Sequence, residues 1–120
     1  MMLLTAKILT ALVLAIHIYI VLLETVLFRS RGVKVFGLSP ERADIMAPAM
    51  SNQGCYNGFL VAALAVGLVH GDPAIRAAFV TYGLLCVAVA GVWGGLTVSR
   101  RILFVQSVPA VLALALYRLA

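Results

Sequence analysis

The sequence predicts an all-α integral membrane protein, a bundle of four antiparallel transmembrane helices with a short interfacial helix in the first loop. Three observations predict it. Of the 120 residues, 64% are hydrophobic and only 11% are charged, whereas soluble domains carry about 25% charged residues; so few charges cannot clothe an aqueous surface. The apolar residues gather into four stretches, each near the roughly 20 residues that a spanning helix needs at about 1.5 Å rise per residue. The net charge of +5 sits in short loops, Arg29 to Lys34 and Arg100-Arg101, a placement that reports membrane orientation rather than a nucleic-acid-binding face.

The first span is expected over about residues 8–28, closed by the cationic stop Arg29-Ser30-Arg31 and by Gly32 as a helix terminator. Its apolar run continues through Ile16, Ile18, Ile20 and Val21 to Leu22-Leu23-Glu24 without a small-x-small cleavage site, so it reads as a retained helix and not a signal peptide. Pro40 to Pro48 reads as a short amphipathic helix at the interface, with Ser39 as its cap and Pro40 at its first position. The second span covers about residues 52–70, with Gly71-Asp72-Pro73 as the turn. The third covers about 74–99, ending at Arg100-Arg101. The fourth covers about 102–119 and contains Pro109, which a membrane helix tolerates when a neighbour satisfies the freed carbonyl. Residues 1–120 thus form a single transmembrane domain with no internal repeat.

Orientation follows from Lys and Arg. Loops one and three hold Arg29, Arg31, Lys34, Arg42, Arg100 and Arg101, and the opposite side holds Lys7, Arg76 and Arg118. Six against three places loops one and three in the cytoplasm and both termini outside.

Polar groups at membrane depth are costly and turn away from lipid, either into a site or into a packing contact. On helix one, Thr10, His17 and Glu24 recur at seven-residue steps of roughly 10 Å, so they share one face that must look into the bundle. Helix two brings Gln53, Tyr56 and Asn57 on one stripe. Helix three carries Tyr82, Cys86, Ala90, Trp93 and Thr97 in one direction, and helix four places Gln106 one turn in, followed by Pro109-Ala110, Ala113 and Tyr117. Alternation of four antiparallel spans sets Glu24, Gln53, Tyr56, Asn57, Trp93, Thr97 and Gln106 at one level, in the half that holds loops one and three. The other half is almost wholly aliphatic. A one-sided polar pocket of this kind is what a small-molecule or ion site looks like. Interhelical bonds in membranes average only about 0.6 kcal/mol, so an amide pair such as Asn57 with Gln106 equally reads as packing. Glu24 equally reads as the partner of Arg29, Arg31 or Arg100. Trp93 also fits an interfacial belt.

The remaining chemistry narrows by exclusion. The two histidines, His17 and His70, lie at mid-depth and at the outer end, so no shared metal is expected. Bis-histidine haem fails on the same count, a single axial ligand at His17 stays open, and no cofactor is expected. No Ser/His/Asp set, phosphate-cradling loop or Cys-x-x-Cys occurs. Cys55 and Cys86 sit at different depths and do not form a bridge. Proton chemistry is left, with Glu24 and His17 as two stations of a path or as an acid/base pair on a buried substrate. Gly54-x-x-x-Gly58 and Gly91-x-x-x-Gly95 match the small-residue pattern of close helix approach, serving either a neighbouring helix or a second copy in a homo-oligomer.

His17-x-Tyr19-Ile20-x-x-Leu23-Glu24, then Ser51-Asn52-Gln53-Gly54-x-Tyr56-Asn57-Gly58, then Ala90-Gly91 with Leu96-Thr97, and finally Gln106-x-x-Pro109-Ala110 resemble a family of small bacterial four-span inner-membrane proteins, domain of unknown function 1304. The resemblance covers nearly the whole chain; its most specific block is Asn52-Gln53-Gly54-x-Tyr56-Asn57-Gly58. It implies a four-helix membrane fold and an inner-membrane location, and no activity. A more distant likeness, in Glu41-Arg42 leading to Asn52 after a long first loop, is to the membrane-associated eicosanoid and glutathione enzymes; the arginines those enzymes use on later spans have no match beyond Arg100 and Arg101.

Three functions are therefore expected to compete: a polar cavity that binds or moves a small molecule or ion, with His17 proton-linked; a membrane enzyme on a lipophilic small molecule, with Glu24 as acid/base; and a structural or accessory subunit. Loss of turnover in Glu24→Gln with the fold intact marks the enzyme. Changes in stability alone mark the subunit.

Overall fold

A computed structural model describes residues 1–120 as helices with no strand. Four of them are long and apolar enough to cross a membrane: α1 (Met2–Glu24), α2 (Pro40–Val69), α3 (Pro73–Thr97) and α4 (Arg100–Leu119). This is the architecture of a multi-pass membrane protein. The long dimension is 49 Å, close to the roughly 40–45 Å of a bilayer with its headgroups. Each helix packs on two others, α1 on α2 and α4, and α3 on α2 and α4, so the four close into a ring.

The caps explain where the helices begin. Ser39 accepts from Arg42 N at 3.3 Å with Pro40 in the first turn, as its sequence suggests. Asp72 accepts from Ala74 N and Ile75 N at 2.7 and 3.2 Å, using two of the amides that a helix start leaves unpaired. Ser99 accepts from Arg101 N at 3.4 Å.

Both helix ends that flank the first loop differ from the sequence expectation, each for a local reason. Helix α1 stops at Glu24 and not near Phe28, and the chain then widens into a π-helical turn over Phe28–Gly32 and a single helical turn at Val33–Val35. Gly32 lies at right-handed helical angles and terminates nothing; it is glycine because a Cβ there would collide with the Leu23 carbonyl oxygen. The left-handed glycine of this loop is Gly37, at φ 65°. Pro40 to Pro48 is continuous with the second span as one 30-residue helix containing Pro48, so the interfacial piece is an extension of α2. At about 1.5 Å per residue, such a helix exceeds the roughly 30 Å hydrocarbon layer and carries its charged first turns beyond it.

The core joins Val13 of α1, Leu64 of α2, Leu84 and Val87 of α3, and Ala110 and Ala113 of α4. Small residues set the spacing at each crossing. A Cβ on Gly67 would stand 2.7 Å from Val80 N, and one on Gly83 would stand 2.8 Å from a Leu64 methyl, so α2 and α3 meet almost backbone to backbone. The sequence left open which neighbour the Gly91 and Gly95 face serves. It serves α4 of the same chain: Gly95 packs on Leu103, Gly94 on Ile102, and Gly91 on Gln106 and Ser107. In α4 the chain passes through a second π-helical turn, Leu103–Ser107, directly before Pro109. This wider turn sits where the proline ring would otherwise meet the preceding turn.

Candidate functional site

The seven-residue spacing on α1 puts Thr10, His17 and Glu24 on the side that packs into the ring, and all three are buried. Each finds its first partner locally or on α2. Thr10 donates its hydroxyl to the Ala6 carbonyl at 2.8 Å. His17 is 0% exposed, and its Nδ1 lies 2.9 Å from the Val13 carbonyl. A carbonyl can only accept, so Nδ1 carries the proton and the lone pair of a neutral ring falls on Nε2. That Nε2 is buried without a hydrogen-bond partner.

Glu24 is 7% exposed at the last turn of α1. Asn57 donates from Nδ2 to Glu24 Oε2 at 2.7 Å, a bond between α1 and α2. The sequence sets this up through Gly54, which shares a face with Asn57: a Cβ on Gly54 would stand 3.2 Å from the Glu24 Cβ and 2.5 Å from the Thr25 methyl. Glycine lets α2 come close, and the amide one turn later reaches the carboxylate. Glu24 therefore pairs with no arginine. Arg29 pairs with Asp44 of α2, and Arg31 donates from Nε to the Tyr19 hydroxyl at 2.6 Å.

The other expected members fall apart into two groups. Gln106 is half-buried on α4, with its Cβ against Gly91 of α3, so Asn57 and Gln106 do not bond to each other. Gln53 and Tyr56 are exposed on α2, with Tyr56 in edge-to-face contact with Phe59 at 5.9 Å between ring centroids. Trp93 and Thr97 are also exposed: Trp93 is 70% accessible, and Thr97 donates its hydroxyl to the Trp93 carbonyl at 2.8 Å within its own helix. One helix has only one inward side. In α3 that side belongs to Val80, Gly83, Leu84, Val87 and Gly91, because glycines allow the closest approach. Tyr82 and Trp93 are left on the outer surface, and Trp93, one turn from the end of α3, has the amphipathic ring that suits the membrane interface.

Two further features join the polar inventory. Ser107 is buried and donates to the Ala88 carbonyl of α3 at 2.8 Å; its only sequence signal is a hydroxyl two residues before a membrane proline. The largely apolar outer half also carries a polar patch, for Lys7, Arg76, Thr81, Tyr117 and Arg118 line one cleft there. The arrangement at the other end thus offers one protonatable carboxylate oriented by an amide, with an imidazole two turns deeper on the same face.

The chain belongs to the family described as "Protein of unknown function (DUF1304)", whose model matches residues 11–118. Searches of the curated proteins and of the solved structures found no match.

Proposed function

We propose that this member of the DUF1304 family binds or moves a small molecule or ion through the half of the bundle that holds its first and third loops, with Glu24 as the protonatable anchor. One observation carries the reading: Glu24 is buried, is held by Asn57 of another helix, and has no cation within ion-pair distance. A carboxylate kept at membrane depth without a counter-charge is costly, and such groups mark pathways and proton relays. His17 is the second station, roughly 10 Å deeper on α1 with Nε2 free to accept a proton. Gln53, Tyr56, Trp93 and Thr97 belong to the same level but face outward; in this reading a second copy covers them, approaching over the outer face of α2 where Gly58 has open space. The membrane is the inner membrane of a bacterium, with the Glu24 end cytoplasmic.

Native mass spectrometry of the protein from mild detergent tests this, reading bound molecules and subunit number together. A defined ligand is expected on the wild type and is lost in Glu24→Gln and in Asn57→Ala. His17→Leu is expected to keep the ligand and, in proteoliposomes, to lose coupling to protons. A wild type that carries no ligand, with variants that lose stability and nothing else, overturns the proposal and leaves interhelical packing as the role of the cluster.

A further inference from the structure

The end of the bundle away from Glu24 holds a second feature, independent of the function proposed above. A cleft of about 300 Å³ opens between α1, α2, α3 and α4 at the level of the α2–α3 turn, within the size range of about 300–1,000 Å³ for small-ligand sites. Its wall contains Lys7 of α1, Arg76 of α3 and Arg118 of α4. These are the three cationic side chains that the chain carries at this end, and all three converge on one cleft.

None of them makes a salt bridge within the protein. No carboxylate lines the cleft. The single salt bridge of the molecule, Arg29 with Asp44, is at the opposite end. The nearest acidic side chain in sequence, Asp72, spends Oδ1 on Ala74 N and Ile75 N and makes no ion pair. Glu24, Glu41 and Asp44 all belong to the other half. Like charges gathered beside a low-dielectric slab repel one another unless an anion joins them. The negative C-terminal end of α4 favours Arg118, whereas Lys7 and Arg76 stand near the positive N-terminal ends of α1 and α3.

Hydroxyls complete the donor set, because Thr81 and Tyr117 line the same wall. Two guanidinium forks, an ammonium and two hydroxyls are the donors that a phosphate group takes up, the arginines bidentately and the lysine as a point charge. The rest of the wall, including Leu3, Leu68 and Val80, is apolar. A molecule seated there meets charge at one end and hydrocarbon at the other, at the height of the headgroups.

We propose that the Lys7–Arg76–Arg118 cleft is an anion site for a phosphate group, supplied either by an anionic phospholipid headgroup or by a free phosphate.

The test uses the full chain in mild detergent, with phosphatidylglycerol, phosphatidylcholine and inorganic phosphate as probes, read by native mass spectrometry and thermal shift. Wild type is expected to retain phosphatidylglycerol over phosphatidylcholine. Arg76→Gln and Arg118→Gln are each expected to weaken that binding about tenfold, the loss of one charge-assisted contact, and Lys7→Gln by less. The paired variant Arg100→Gln/Arg101→Gln removes two charges at the other end, more than any of the single variants, and is expected to keep binding. If inorganic phosphate alone raises the melting temperature and displaces the lipid, the source is a free phosphate. If it does neither while phosphatidylglycerol binds, the source is the headgroup. Equal binding by wild type and the Lys7/Arg76/Arg118 triple Gln variant overturns the site, as does equal weakening in the Arg100/Arg101 control, or the absence of binding by both anionic probes. The cationic residues are exposed or half-buried, and a helical circular dichroism spectrum for each variant confirms that lost binding is not lost folding.

Discussion

Ser107 of α4 donates its hydroxyl to the backbone carbonyl of Ala88 on α3 at 2.8 Å, and Gly91, one turn after Ala88, packs directly against Ser107. The hydroxyl and the missing Cβ act together. The serine can reach the neighbouring backbone only because glycine lets the two helices close.

This contact predicts a steep difference between glycines. A methyl group on Gly91 would press on the Ser107 hydroxyl and stand 2.7 Å from its backbone nitrogen, so Gly91→Ala is expected to cost about 1–3 kcal/mol by overpacking. Ser107→Ala loses one interhelical bond, about 0.6 kcal/mol. Gly58→Ala meets nothing within 4 Å and is expected to leave the single chain as stable as before, while weakening self-association. Thermal unfolding in detergent, with mass measurement for the last variant, checks the series; a Gly58→Ala loss as large as that of Gly91→Ala contradicts it.

The Asn57–Glu24 bond predicts non-additivity. Asn57→Ala leaves a buried carboxylate without its donor, at a cost of about 1–3 kcal/mol. Once Glu24→Gln has removed the charge, the same Asn57→Ala change is expected to cost less, giving a coupling of about 0.5–3 kcal/mol in a double-mutant cycle. Purely additive losses in that cycle rule the bond out as an energetic link.

His17 separates a functional from a structural polar group. Its Nε2 is unpartnered, so His17→Leu, an apolar residue of comparable bulk, is expected to be neutral or stabilising in thermal unfolding. His17→Ala instead empties a fully buried position and is expected to cost about 2–5 kcal/mol, like other large-to-small core changes. A marked loss in His17→Leu means that the imidazole is needed for the fold and contradicts the expectation of a neutral change.

The ion pair between Arg29 and Asp44 ties the first loop to the start of α2, but the side chains are 66% and 69% exposed. Asp44→Asn is therefore expected to lower stability by less than about 1 kcal/mol, less still in high salt. The melting temperature measured at low and high ionic strength decides this.

The membrane class, the four spans and the inward face of α1 were legible in composition and spacing. Their physics is local: lipid requires continuous apolar helix, and a seven-residue step keeps Thr10, His17 and Glu24 on one side whatever they pack against. Family membership was legible as well, through the residues around Asn57 and Gln106. The Asn57–Glu24 pair was half legible, since spacing sets both at one level but does not choose between an arginine, Gln106 and Asn57 as partner.

Rotation of the helices about their own axes was decided only in the tertiary structure. Two stripes on α3 competed to face inward, Gly91 with Gly95 and Trp93 with Thr97. The glycine stripe won because backbone approach to α4 gains contact that a bulky indole would prevent. The same choice turned Gln53 and Tyr56 outward on α2, since Gly54 had to meet Thr25. Convergence of Lys7, Arg76 and Arg118 belongs to this class too. Counted along the chain they are three scattered charges, and only the closing of α1, α3 and α4 around one cleft makes them neighbours. Depth along a helix is a property of the sequence alone, whereas direction around it is settled by which small residues let two backbones touch.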